Sequence, residues 1–154
     1  MRSSRPKENE WQKLTATARA ASREAYAPYS NLRVGAALES ARGRSYSACN
    51  VENSSLGLTV CAERAALFRA VAEGERQFLR LVIYSPDAGP LPPCGACRQV
   101  LAEFCPELHI LSVGRGGVQK QYDLAELLPD AFRWPGDDSQ RAGEGAAEGE
   151  GRRA

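Results

Sequence analysis

The chain has 154 residues, enough for one domain, and its 43% apolar composition is sufficient for a hydrophobic core. Twenty basic residues against nineteen acidic ones leave a formal charge of +1, which provides no long-range field for polyanions and argues against nucleic acid as a partner. No segment has the apolar length of a membrane span and the N-terminus lacks a signal-peptide core, so a membrane is excluded as a partner and a cytoplasmic location is expected.

Residues 1–8 read as a disordered N-terminus, 9–134 as the folded domain, and 135–154 as a disordered Gly/Glu-rich tail without apolar residues to bury. Trp11, Leu14, Ala18, Ala21 and Ala25 recur at helical spacing, and Pro28 with Tyr29-Ser30 ends that helix. Leu32 to Leu38 and Ser45 to Val51 predict two strands joined by the turn Ala41-Arg42-Gly43-Arg44, a hairpin. A helix follows over Cys61 to Ala72, with Thr59 as its N-cap candidate and Gly74 as its stop. Leu79 to Tyr84 predicts a buried strand, and a Pro/Gly loop leads to a helix that begins near Cys94, carries Val100, Leu101 and Phe104, and stops at Pro106. Leu108 to Val113 and Val118 to Tyr122 are strands about the turn Gly114-Arg115-Gly116-Gly117, and Asp123 to Leu128 is a short helix. The order α-β-β-α-β-α-β-β-α describes an α/β sheet of about five strands with helices packed on it.

Chemistry concentrates in Cys61-Ala62-Glu63 and Pro93-Cys94-Gly95-Ala96-Cys97. Five cysteines are an odd number, and in a reducing compartment close Cys spacing points to metal or catalysis before disulfides. Cys94 and Cys97 share one face of a helix near its start, and Cys61 begins another, so three sulfurs can meet one ion. Three protein ligands leave a tetrahedral zinc open to chemistry, whereas a structural site closes with four. Thiolates select zinc or iron–sulfur clusters, and a cluster would want a fourth Cys in a tighter run, so Zn²⁺ is the expected cofactor.

Glu63 lies about 200° around a helix from Cys61 and so does not stack as a co-ligand. A long side chain in the first turn still reaches the open face, where a carboxyl raised toward neutrality by burial can move protons. Three thiolates and Zn²⁺ sum to one negative charge, which weakens the ion as a Lewis acid. Helix N-termini offset it, and Arg64 and Arg98 are candidates for hydrogen bonds to sulfur. Cys49 and Cys105 are read as buried apolar fillers, and His109 as a core or sheet-face residue, not a ligand.

At these residues the chain resembles the cytidine deaminase family, in its small homotetrameric, zinc-dependent branch. The likeness runs from about Ala25 to Phe132. It is carried by Ala25-Tyr26-Ala27-Pro28-Tyr29-Ser30, Val34-Gly35-Ala36-Ala37-Leu38, Cys49-Asn50-Val51-Glu52-Asn53, Cys61-Ala62-Glu63-Arg64, Pro93-Cys94-Gly95-Ala96-Cys97-Arg98-Gln99-Val100 and Glu126-Leu127-Leu128-Pro129. The x-x-E and P-C-x-x-C pattern is that of the zinc deaminases. The resemblance implies a three-layer α-β-α fold with a mixed sheet and a homotetramer acting on free nucleosides. It also implies hydrolytic deamination of cytidine and deoxycytidine to uridine and deoxyuridine through zinc-bound hydroxide.

By the same resemblance Cys61, Cys94 and Cys97 bind zinc and Glu63 shuttles protons. Asn50 and Glu52 meet the ribose 3′-hydroxyl, and the Ala62 backbone lies near the base. Phe132 either reaches a neighbouring subunit's base or packs the end of the core. Leu32 and Leu56 stand where family members commonly carry aromatics, so weaker affinity or an altered substrate is expected. Alternatives remain open: another aminopyrimidine nucleoside such as a blasticidin-type antibiotic, to which the Trp134-bearing end has a mild likeness, or a zinc-stabilised binding module without turnover.

Overall fold

The computed structural model describes residues 8–135. Apart from Glu8 and Pro135, the two stretches expected to be disordered lie outside the described residues, and Glu8 itself opens the first helix. The elements are α1 (Glu8–Ser22), β1 (Gly35–Ser40), β2 (Ser45–Cys49), α2 (Ala62–Ala72), β3 (Phe78–Tyr84), α3 (Gly95–Ala102), β4 (His109–Val113), β5 (Gln119–Asp123) and α4 (Leu124–Leu127), with single tight turns at Leu56–Leu58 and Arg115–Gly117.

The strands form one mixed sheet in the order β2-β1-β3-β4-β5. Strand β1 runs antiparallel to both β2 and β3, β3 and β4 are parallel, and β5 returns antiparallel to β4. Successive side chains of a strand face opposite sides of a sheet, and here both sides are covered. Ala36, Leu38, Leu81, Ile83 and Ile110 enter the core beneath α2 and α3, whereas Ala37, Val82, Leu111 and Val113 pack against Trp11, Leu14 and Ala18 of α1. The result is three layers, helix on sheet on helix, and it places the first turns of α2 and α3 side by side on one face.

Tertiary contacts move several boundaries away from their sequence expectations. Helix α1 stops at Ser22, so its buried stripe runs Trp11, Leu14, Ala18, Ser22 and never includes Ala25. A Cβ at Gly35 would collide with the Ala18 carbonyl and the Ser22 amide, so this glycine lets β1 press against the last turn of α1. Beyond that turn Tyr26 is captured by the 50–52 segment, its N–H donating to Asn50 O at 3.1 Å and its carbonyl accepting from Glu52 N at 2.8 Å. Strand β1 starts at Gly35, not Leu32, because the preceding backbone bonds to the Asn50 side chain: Val34 N donates to Oδ1 at 2.8 Å and Leu32 O accepts from Nδ2 at 2.9 Å. Leu79 is exposed although its strand is central, since it falls at the register shift where Glu39 pairs with Arg80 and Ser40 with Phe78.

Candidate metal centre and active site

Cys61 is the N-cap of α2 and Cys94 the N-cap of α3, each in extended conformation with no side-chain cap hydrogen bond. This corrects the expectation for Thr59, which ends the Leu56–Leu58 turn and whose Oγ1 accepts from Asn53 N at 3.2 Å. The thiols therefore sit where unpaired backbone N–H groups and the positive dipole ends of two helices converge. Cys97 joins them from the first turn of α3, and the three sulfurs lie within 4.8 Å of one another. Cys61 Sγ is 3.8 Å from Cys94 Sγ, and Cys94 Sγ is 3.5 Å from Cys97 Sγ.

Sulfurs at about 2.3 Å from a tetrahedral zinc stand about 3.8 Å apart, so the spacing fits that ion. The Cys61 thiol is pulled down to about 5, first by its hydrogen bond with Cys97 and then, against the effect of burial, by Arg64. Cys97 is pushed up by the same bond and by burial. Sulfur binds a metal as thiolate, so a dication among the three would let all of them ionise together. Cys97 is buried, Cys61 half-buried and Cys94 exposed, so the cluster opens toward one side.

Glu63, in the first turn of α2, is only 6% exposed. Burial pushes its carboxyl up to about 7, and the Cys61 thiolate adds to the rise. Arg64 Nη2 donates to the Thr59 carbonyl at 3.1 Å and reaches Cys61 Sγ at 3.7 Å, the contact expected of a residue that drains charge from sulfur. Arg98 differs from its expectation: its Nε donates to Pro93 O at 2.8 Å and its Nη1 to Leu127 O at 3.0 Å. Its guanidinium staples the cysteine loop to the end of α4 and donates to no sulfur. The reason is tertiary, since the fold brings the Leu127 carbonyl at the end of α4 within reach of a guanidinium already held by the Pro93 carbonyl before α3.

Asn50 and Glu52 are buried, and Ala62 is fully enclosed directly after Cys61. Leu32 is half-buried against the core beneath α2 and α3. Phe132 is 66% exposed, so core packing is not its role in this chain; its backbone is clamped by Gln99, which donates to Phe132 O at 2.8 Å and accepts from Phe132 N at 3.0 Å. Cys49 is half-buried on edge strand β2 and donates to Glu24 O at 3.3 Å, so it is not the enclosed filler expected. His109 pairs through Nδ1 with Asp123 at 2.7 Å, apart from the thiols. Two contributors escaped the sequence reading, Ser30 beside Glu52 and Gln99 beside Phe132. Both stand in segments that carry the family likeness, and Ser30 has a further signal as a hydroxyl residue two before Leu32 in a Tyr-Ser-Asn turn; neither has a role in that reading.

An α/β sheet carrying three zinc-competent thiols at two helix starts, with a buried carboxyl beside them, defines a zinc hydrolase class of site. Residues 8–112 match the family model for the cytidine and deoxycytidylate deaminase zinc-binding region. A cytidine deaminase of Sporosarcina psychrophila is 45% identical over 122 residues, covering 79% of this chain and 90% of the relative. Among solved structures, cytidine deaminase from Burkholderia pseudomallei superposes with a TM-score of 0.75 at 46% identity, covering 79% of this chain and 98% of that one. Cytidine deaminase from Mycobacterium tuberculosis gives a TM-score of 0.70 at 40% identity, covering 81% and 98%. The chain belongs to the cytidine deaminase family, whose members are zinc-dependent hydrolases, and its Cys61, Cys94 and Cys97 group fits the Zn²⁺ that this class uses. Among the described residues, no helix is long and apolar enough to cross a membrane.

Proposed function

We propose that this protein hydrolyses cytidine and deoxycytidine to uridine and deoxyuridine with release of ammonia, as a cytoplasmic homotetramer. The observation that carries the reading is the buried Glu63 carboxyl two residues after Cys61, beside three sulfurs spaced for one zinc ion. When bound by Cys61, Cys94 and Cys97, zinc supplies the Lewis acidity that makes water a nucleophile near neutral pH.

The chain's own residues do the rest. Glu63 takes a proton from the attacking water and delivers it to N3 of the pyrimidine as C4 becomes tetrahedral. It then carries the second proton to the departing amine, so water and cytidine give uridine and ammonia with protons balanced. Burial suits Glu63 to both tasks, since a carboxyl raised toward neutrality accepts and returns a proton at low cost. Arg64 and the N-termini of α2 and α3 offset the negative charge of the sulfurs, which keeps the centre electrophilic.

Asn50 and Glu52 meet the sugar 3′-hydroxyl, the Ala62 backbone lies near the base, and Leu32 flanks it. Phe132, exposed on a clamped backbone, completes a neighbouring subunit's site. Arg98 serves as a staple of the cysteine loop. The test is ammonia release from a panel of cytidine, deoxycytidine and a blasticidin-type aminopyrimidine nucleoside, on protein of measured zinc content. Turnover of the first two supports the proposal. No turnover of any, at full zinc content, assigns the chain to the binding-module reading instead.

A further inference from the structure

The Ser30 hydroxyl joins two groups that the proposed reaction needs. It donates to Glu52 Oε1 and accepts the Leu32 amide N–H at 3.0 Å. The backbone N–H groups of Tyr29 and Ser30 donate to Glu52 Oε2 at 2.9 and 3.2 Å. Asn31, at φ 56°, supplies the left-handed residue that folds Ser30 back over Leu32. Glu52 is itself buried, and this turn orients its carboxylate.

An ionised carboxylate offers acceptor sites for about four hydrogen bonds. The Tyr29–Ser30 turn takes three of them, which leaves Glu52 a place for one more donor. We propose that Ser30 is a positioning residue for sugar recognition: its hydroxyl holds Glu52 so that a single acceptor position faces the nucleoside's 3′-hydroxyl, and the same oxygen fixes the Leu32 backbone beside the base. The inference rests on Glu52 meeting that hydroxyl. It explains why a serine, the smallest residue that both donates and accepts, occupies the turn.

The experiment compares Ser30→Ala, Ser30→Thr and Glu52→Gln on cytidine, on 2′-deoxycytidine and on 2′,3′-dideoxycytidine, the last two differing only in the 3′-hydroxyl. Ser30→Ala is expected to lower kcat/KM on cytidine and 2′-deoxycytidine about tenfold, mainly through KM, because a hydrogen bond to a charged group is lost. On the dideoxy substrate its effect stays below about threefold, Ser30→Thr restores discrimination, and Ser30→Ala adds little in a Glu52→Gln background. An equal loss on 2′-deoxycytidine and 2′,3′-dideoxycytidine, or a loss confined to kcat, overturns the proposal. Calorimetric affinities for 2′-deoxyuridine and 2′,3′-dideoxyuridine provide a readout independent of turnover. Should the wild type release no ammonia from cytidine, the deaminase reading fails, and this affinity ratio still decides: a ratio lowered by Ser30→Ala supports the role of Ser30, an unchanged ratio refutes it. Ser30→Gly replaces Ser30→Ala in every comparison should the alanine variant not fold.

Discussion

Helix α3 has a cysteine at each end. Cys94 caps its first turn and Cys105 lies just beyond its last. At the first turn backbone N–H groups are unpaired and the helix dipole is positive, and Cys94 and Cys97 meet Cys61 there. At the far end the helix dipole is negative, and Cys105 behaves as a donor, its Sγ bonding at 3.2 Å to Leu101 O, which also accepts the Phe104 and Cys105 amides. Burial pushes the Cys105 thiol up to about 12. The same side chain is thus prepared for a cation at one end and for packing at the other. Helix polarity and enclosure, not cysteine itself, decide which.

The largest disturbance of this contrast is Cys97→Ala. It removes the buried member of the trio, and zinc per chain measured after dialysis is expected to fall toward zero. Turnover should fall by more than the roughly 10–100-fold that removing a mere partner of a metal ligand costs. Full zinc retention in Cys97→Ala would show that the first turn of α3 is not a ligand platform. Next in size is Glu63→Gln, which keeps the shape of the side chain and deletes its proton chemistry. Ammonia release is expected to drop about 10²–10⁴-fold with zinc content unchanged. A parallel loss of zinc would mean that Glu63 holds the centre together and does not act on substrate.

The contrast between the helix ends was partly visible in the sequence, and the reason is instructive. Cys94 and Cys97 are three apart behind a proline, and Cys61 begins an apolar-periodic stretch, so local spacing alone puts thiols at helix starts. The element order was legible for the same reason, since turn residues and the two periods are local signals. What remained hidden depends on distant partners. Arg98 bonds to Pro93 and Leu127 carbonyls, and no local pattern announces a carbonyl brought in from α4. The late start of β1 arises because the Asn50 side chain satisfies Leu32 and Val34, a contact that closes only when β2 folds back. Likewise Thr59 looked like a cap by residue type, but Val60 is held extended by a two-way bridge to Val51, so the helix begins only after Cys61.

A smaller effect is expected at the wall beside the site. Leu32 packs half-buried against the core beneath α2 and α3, where an aromatic would add stacking on a pyrimidine. Leu32→Phe is expected to tighten cytidine binding by about 0.5–1.5 kcal/mol, that is, to lower KM about two- to tenfold with kcat little changed. An unaltered KM would show that the base does not rest on this side chain.

The smallest effect on chemistry should come from Cys105→Ala, which tests the far end of α3 directly. Turnover per zinc is expected to match the wild type, because the thiol bonds to Leu101 O and touches none of the trio. Stability should fall by about 1 kcal/mol at neutral pH, the order of cost for a small buried deletion. The pH dependence identifies the cause. The folded pKa of about 12 lies above the ordinary 9.0, so the folded state keeps a proton that the unfolded chain releases. The stability this proton provides is fully present below about pH 9 and is lost as pH rises toward 12, with a slope near 1.4 kcal/mol per pH unit in between. Cys105→Ala lacks that slope, so its deficit measured by denaturant unfolding should shrink and then reverse above pH 9. A deficit that stays constant across that range would mean that Cys105 ionises freely in the folded protein, and the two ends of α3 would then differ in position but not in the state of their sulfur.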